Sequence, residues 1–76
     1  MKELLEALAR ALVKEPNRVR VTEWTEEGVV HLDLEVSDVD RGRVIGRGGR
    51  TADALRTLLD AVAHRRGTPC DMEILG

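Results

Sequence analysis

The segment Arg41-Gly42-Arg43-Val44-Ile45-Gly46-Arg47-Gly48-Gly49-Arg50-Thr51 holds the residue types best suited to chemistry with an anion. Glycines let a backbone turn sharply and approach a ligand, because no Cβ stands in the way. A helix that starts just after them offers free N–H groups and the positive end of its dipole. Arg43, Arg47 and Arg50 add formal charge around the same point. Together these features favour a phosphate. Spacing excludes two phosphate-binding patterns. A P-loop needs G-x-x-x-x-G-K-[ST], and the chain has no Gly-Lys pair. A dinucleotide fingerprint needs G-x-G-x-x-G, and Thr51 stands where its last glycine would be. What remains is a G-x-x-G stretch, Gly46 to Gly49, with arginine on both sides.

No other group of residues suggests chemistry. His31, His64 and Cys70 have no metal-ligand spacing, so no metal and no cofactor are expected. Asp38 and Asp40 read as helix-start residues, and Asp53 and Asp60 as the polar arc of a helix. There is no nucleophile–base pair and no pair of carboxylates in a cleft, so an enzyme is not expected. Charge points to binding instead. The net charge is −2, but residues 41–66 carry seven bases against two acids, and the rest of the chain carries five bases against twelve acids. An acidic body with one basic segment is the pattern of a localised anion site.

The elements that must position the loop follow from periodicity. Residues 2–14 repeat Leu4, Leu5, Leu8, Ala11 and Leu12 at helical spacing, and Glu15-Pro16 ends that helix. Val19-Arg20-Val21-Thr22 begins a strand toward Trp24, and Glu26-Glu27-Gly28 turns the chain. The parity of that strand puts Glu23, not Trp24, on the inner face, so a bulge or a partner surface is expected there. Val30, Leu32, Leu34 and Val36 alternate with His31, Asp33 and Glu35 in a second strand. Ser37 and Asp40 resemble a capping box opening a short helix from Asp38 to Val44. A third helix runs from Arg50 to Arg66, with apolar positions Ala52, Leu55, Leu58, Leu59 and Val62, and is stopped by Gly67 and Pro69. Cys70, Met72 and Ile74 alternate with acids in a last strand, which makes Cys70 a core thiol. The order α-β-β-α-α-β predicts an α+β two-layer fold of one domain, residues 1–76. Its three-stranded mixed sheet has an antiparallel first pair, a parallel second pair and helices on one face.

At 76 residues only about 60% of the unfolded surface is buried, so stability is marginal. No apolar run approaches about 18 residues, so no membrane span is expected. Acids within the N-terminal apolar stretch argue against a secretory signal, and a single cysteine precludes an internal disulfide. The expected location is cytoplasmic.

G-x-x-G between two helices, after Val44-Ile45 and before a basic helix, resembles the KH domain, whose loop clamps the backbone of about four nucleotides. The leading α-β extension resembles the type II, or prokaryotic, arrangement. The run from Arg43 to Ala52 and the chain length are similar to the small bacterial single-KH proteins of the KhpA family. The resemblance covers essentially the whole chain. It implies cytoplasmic binding of single-stranded RNA, as a chaperone or post-transcriptional regulator, often alongside a second KH protein of the KhpB type, in a pair linked to cell length and envelope synthesis. On that resemblance Gly46, Arg47, Gly48 and Gly49 form the clamp and Arg47 faces the phosphates. Val44, Ile45 and the start of the third helix floor the base groove, Leu34 and Val36 support it from the sheet, and Arg43 and Arg50 flank it. Phe and Tyr are absent and Trp24 is the one aromatic, which excludes a stacking platform of the RRM or OB kind.

The rival is a protein-interaction module that has the same fold and binds little RNA. Around the third helix, apolar residues cover more than the stripe of roughly 100° that packing on a sheet requires. The excess lies along Ala54, Leu58 and Ala61, small enough in part to admit a second helix, so a homodimer or heterodimer through this edge is expected.

Overall fold

Alternation in the two hairpin strands sets the frame. In the computed structural model, which describes residues 1–75, β1 (Arg20–Glu26) pairs antiparallel with β2 (Val29–Glu35) without a bulge, from Arg20↔Glu35 to Glu26↔Val29. The hairpin loop is only Glu27-Gly28, with φ of 51° and 78°. That is the two-residue turn whose twist matches the strands, and a glutamate occupies the position that usually favours Asn or Asp. β3 (Cys70–Ile74) joins β2 in parallel, Val30↔Cys70 to Leu34↔Ile74, giving the order β1-β2-β3. The parallel step is made through α2 (Arg41–Ile45) and α3 (Arg50–Arg66), as the element order requires.

One sheet face is covered. Val21, Leu32, Leu34 and Met72 turn inward against Leu5 and Ala9 of α1 (Lys2–Leu12), Val44 of α2, and Leu55 and Leu59 of α3. Leu5, Leu32, Leu34, Leu59 and Val44 are wholly buried. Each contributes about 1.5–3 kcal/mol, so a domain this small depends on nearly all of them. The fold is the expected α+β two-layer type II KH arrangement.

Several local expectations change. The buried stripe of α1 is Leu5 and Ala9 with Leu8 partly buried, while Leu4, Ala11 and Leu12 stay exposed. α1 also ends at Leu12, not at residue 14, because the Lys14 and Glu15 N–H groups turn away to donate to Asp40. Ser37 and Asp40 make no capping box. The Ser37 hydroxyl donates to Asp40 Oδ2 at 3.1 Å, and residues Asp38–Asp40 form a 3-10 turn ahead of α2. In α3 the buried residues are Ala52, Leu55, Leu59 and Ala63; Leu58 is half exposed and Val62 half-buried. Strand parity holds through Trp24. Glu23 faces inward beside the Met1 ammonium at 3.4 Å, and Trp24 faces out, stacked on His31. No bulge is needed because the edge position lets Glu23 remain partly solvated and paired.

Candidate nucleic-acid interface

The loop between α2 and α3 turns on positive φ. Gly46 has φ 77° and ψ 168°, a region essentially reserved for glycine. A Cβ there would lie 2.7 Å from the Thr51 backbone nitrogen, so Gly46 is required both by conformation and by close approach. Gly48, with φ 62°, is different: a Cβ there would meet nothing within 4 Å. The chain folds tightly, with Gly46 N–H donating to Gly42 O (2.8 Å) and Gly49 N–H to Gly46 O (3.1 Å). α3 then starts at Arg50 with no side-chain cap; the Arg50 N–H donates to Arg47 O, and the N–H groups that follow it in the first turn have no side-chain acceptor and can face an anion.

The arginines divide into two sets. Arg41 pairs with Asp38, Arg43 Nε lies 3.6 Å from Asp40 Oδ1, and Arg56 Nη1 lies 3.5 Å from Asp53 Oδ1. Arg47 and Arg50 are exposed and have no ion-pair partner among the described residues. The loop therefore carries two uncommitted cations beside a free helix N-terminus. Asp53, the single acid in the first turn of α3, is turned toward Arg56.

The candidate residues are only partly assembled as the sequence suggests. Gly46, Arg47, Gly48, Gly49 and Arg50 form one continuous surface turn. Ile45, 37% exposed, adds apolar surface beside it. Val44 is wholly buried, so it supports this surface from within the core and offers none itself; Leu34 does the same from the sheet. Arg43 belongs as much to Asp40 as to the loop.

Asp40, a helix-start acid by its place in the sequence, is a buried junction in the fold. Its carboxylate accepts from Lys14 N–H and Glu15 N–H, both at 2.9 Å, and from Ser37 Oγ, and it faces Arg43. The Lys14 hydrogen bond most of all, then those from Glu15 and Ser37 and the Arg43 charge, outweigh desolvation and hold this carboxyl below its ordinary value. The junction ties the end of α1 to the start of α2 and so fixes where the loop emerges.

Sequence reasoning also missed the open edge of β3. Val30 N–H donates to Pro69 O and Leu75 N–H to Leu34 O, both at 2.9 Å. With the register of the parallel pair, this turns the backbone polar groups of Cys70, Met72 and Ile74 away from β2. Arg56 Nε donates to Met72 O at 3.3 Å, across a depression lined by Leu59, Asp60 and Cys70. Strand parity together with a basic residue on the neighbouring helix was the available signal. Burial, with Asp60 and Asp71 adding to it, pushes the Cys70 thiol up, which suits an inert packing residue. Among the described residues no three His, Cys, Asp or Glu side chains converge as metal ligands, and no helix is long and apolar enough to cross a membrane.

Comparison with known proteins bears on family and fold. The family model for the KhpA/KhpB KH domain matches residues 2–74. The protein named RNA-binding protein KhpA in Treponema pallidum is 49% identical over 73 residues, covering 96% of this chain and 91% of its own. Its namesake in Clostridium acetobutylicum is 43% identical over 75 residues, covering 99% and 100%. A crystal structure of Aquifex aeolicus Era bound to GDP and aluminium fluoride matches with a TM-score of 0.68 at 16% identity. It spans 96% of this chain and 28% of that one, and shows the fold alone.

Proposed function

The chain belongs to the KhpA/KhpB family of KH domains, and from that membership we propose a non-enzymatic protein that binds single-stranded RNA by clamping its backbone in the loop Gly46–Gly49. RNA binding is what the names of its relatives state. The observation that carries the mechanism is the pairing of a glycine turn with two exposed, uncommitted arginines at the uncapped start of α3. Phosphates sit at that helix start, with Arg47 and Arg50 on either side and Ile45 under the first base. Arg56 and the outward backbone groups of β3 extend the polar surface. The work is that of an RNA chaperone or post-transcriptional regulator in the cytoplasm, alongside a second, KhpB-like KH protein in control of cell length and envelope synthesis. Single-stranded DNA is the control ligand.

The test replaces Arg47 and Gly48 together by Asp. Both are exposed and neither touches the core, and Asp tolerates a positive φ better than most residues, so the fold survives. Losing about two phosphate contacts lowers affinity at least tenfold and reduces the salt slope by roughly one to two units. Fluorescence anisotropy with a short single-stranded RNA at several salt concentrations measures this, with circular dichroism as the fold control. Undiminished affinity in the folded double variant removes the loop from the binding site.

A second reading concerns assembly. Ala54, Leu58 and Ala61 all lie exposed along one edge of α3, with Leu58 50% exposed. That edge supports pairing with a second copy or with a KhpB-like protein. Ala61→Glu gives a folded monomer where the unmodified chain scatters light as a dimer; a monomeric unmodified chain with no recoverable partner ends this reading.

A further inference from the structure

The sheet face away from the helices is uncovered, and its residues are arranged in rows across the strands. Trp24, His31 and Asp71 form one row, and Thr22, Asp33 and Glu73 the next. Trp24 is 40% exposed. Its ring lies 5.3 Å from that of His31 at an interplanar angle of 18°, and His31 Nδ1 is 3.8 Å from Asp71 Oδ2, so the aromatic is held by its neighbours. Trp24, His31, Asp33, Asp71 and Glu73 line a shallow depression of about 270 Å³. Asp33 lies directly across from Glu73, and neither has a cationic partner among the described residues. Like charges in register on neighbouring strands repel. A face of this kind is mismatched to RNA, whose phosphates it repels, and is matched to a cation.

We infer that this face docks an extended arginine-bearing segment of a partner protein, of the form Arg-x-Arg. Alternate residues of a strand are spaced about 6.6 Å apart, which is also the separation of the two rows. One guanidinium lies over the Trp24–His31 pair and reaches Asp71 beside it, using the affinity of a cation for an aromatic surface. The next sits between Asp33 and Glu73 and neutralises both. The glycine loop lies on the helix layer, so RNA and the basic segment bind opposite layers and can bind together. The two charged faces then sort their ligands by sign, and basic tails that would otherwise compete for RNA phosphates are held elsewhere.

Trp24 is the single tryptophan of the chain, so its emission reports on this face alone. The probe is a synthetic ten-residue peptide of alternating Arg and Ser, with a Gln-Ser peptide as the neutral control. The expected result is a saturable, salt-sensitive change in Trp24 emission with the basic peptide and none with the neutral one. Asp33→Asn combined with Glu73→Gln weakens binding by at least about tenfold. It also melts no lower than the unmodified protein, because it removes a repulsion. Arg47→Asp with Gly48→Asp leaves peptide binding intact. Equal peptide affinity in the Asp33/Glu73 variant overturns the proposal, as does the absence of any emission change at millimolar peptide. An emission change that depends on protein concentration without peptide also overturns it, by assigning the face to a second copy.

Discussion

α2 is five residues long, and its two ends do opposite things with charge. At its start the Asp40 carboxylate is buried and saturated, with two backbone N–H groups, a hydroxyl and a guanidinium on it. At its end Gly46–Gly49 leads into a helix N-terminus without a side-chain cap, beside Arg47 and Arg50, which have no ion-pair partner among the described residues. The saturated end has nothing left to offer a ligand and everything to offer the fold. The unsaturated end has donors and cations in excess, which only a ligand or water can satisfy. In a domain with so little core, proximity of charged residues in sequence says little about function; what remains unpaired after folding says more.

The largest effect belongs to the saturated end. In Asp40→Asn the amide NH2 must face a backbone N–H that the carboxylate accepted, so one donor loses its partner and two donors oppose each other. The expected fall in melting temperature is roughly 15 °C, read by circular dichroism. The pH dependence has a definite sign. Asp40 is held below its ordinary value of 3.8 in the folded state, so its contribution is present above that value and lost as pH falls through the lower, folded-state pKa. The gap in melting temperature between the unmodified protein and Asp40→Asn therefore narrows below about pH 4. A gap that stays constant down to pH 2.5 shows that Asp40 acts through shape alone.

Next come the glycines at the other end, which separate conformation from contact. Gly46→Ala forces a side chain into a glycine-only conformation and against the Thr51 backbone, and lowers the melting temperature by roughly 10 °C. RNA affinity falls with it, because the turn cannot hold its shape. Gly48→Ala meets open space and suffers only the cost of its positive φ, about 1 kcal/mol. If the two variants melt alike, the close approach at Gly46 is not what fixes the loop.

How much of this was readable beforehand follows from how local each feature is. The bounds of α3, the antiparallel pairing of the hairpin and the glycine turn depend on neighbours in sequence, and periodicity carries them. Asp40 does not: its main partners are the Lys14 and Glu15 N–H groups, 26 and 25 residues away, and no spacing rule links an acid in one connection to the backbone of another. The same two bonds shorten α1, so one long-range junction accounts for both local differences. Leu58 is half exposed, on the edge that the helical wheel leaves outside the stripe a sheet covers. Arg56 was counted with the basic segment, and its partner Met72 O became visible only once β3 was paired to β2.

The smallest effect sharpens the comparison most. Arg43 and Arg50 lie on either side of the loop and carry the same charge, yet Arg43 faces Asp40 at 3.6 Å and Arg50 faces none of the described acids. Arg50→Ala removes one phosphate contact, so affinity falls about three- to tenfold and the salt slope drops by about one unit. Arg43→Ala removes a cation already committed to a carboxylate, so affinity changes less than about twofold and the salt slope stays where it was. Its structural cost is also slight. The Arg43 side chain is 47% exposed, which screens the pair, and Asp40 keeps its three hydrogen bonds, so the melting temperature falls by about 2–3 °C. The measurement is anisotropy with one RNA across a salt series for both variants in parallel. Equal losses of slope mean that Arg43 leaves Asp40 for the phosphates when RNA binds. In that case the junction and the clamp are coupled, and Asp40→Asn must tighten RNA binding by freeing Arg43 while it weakens the fold.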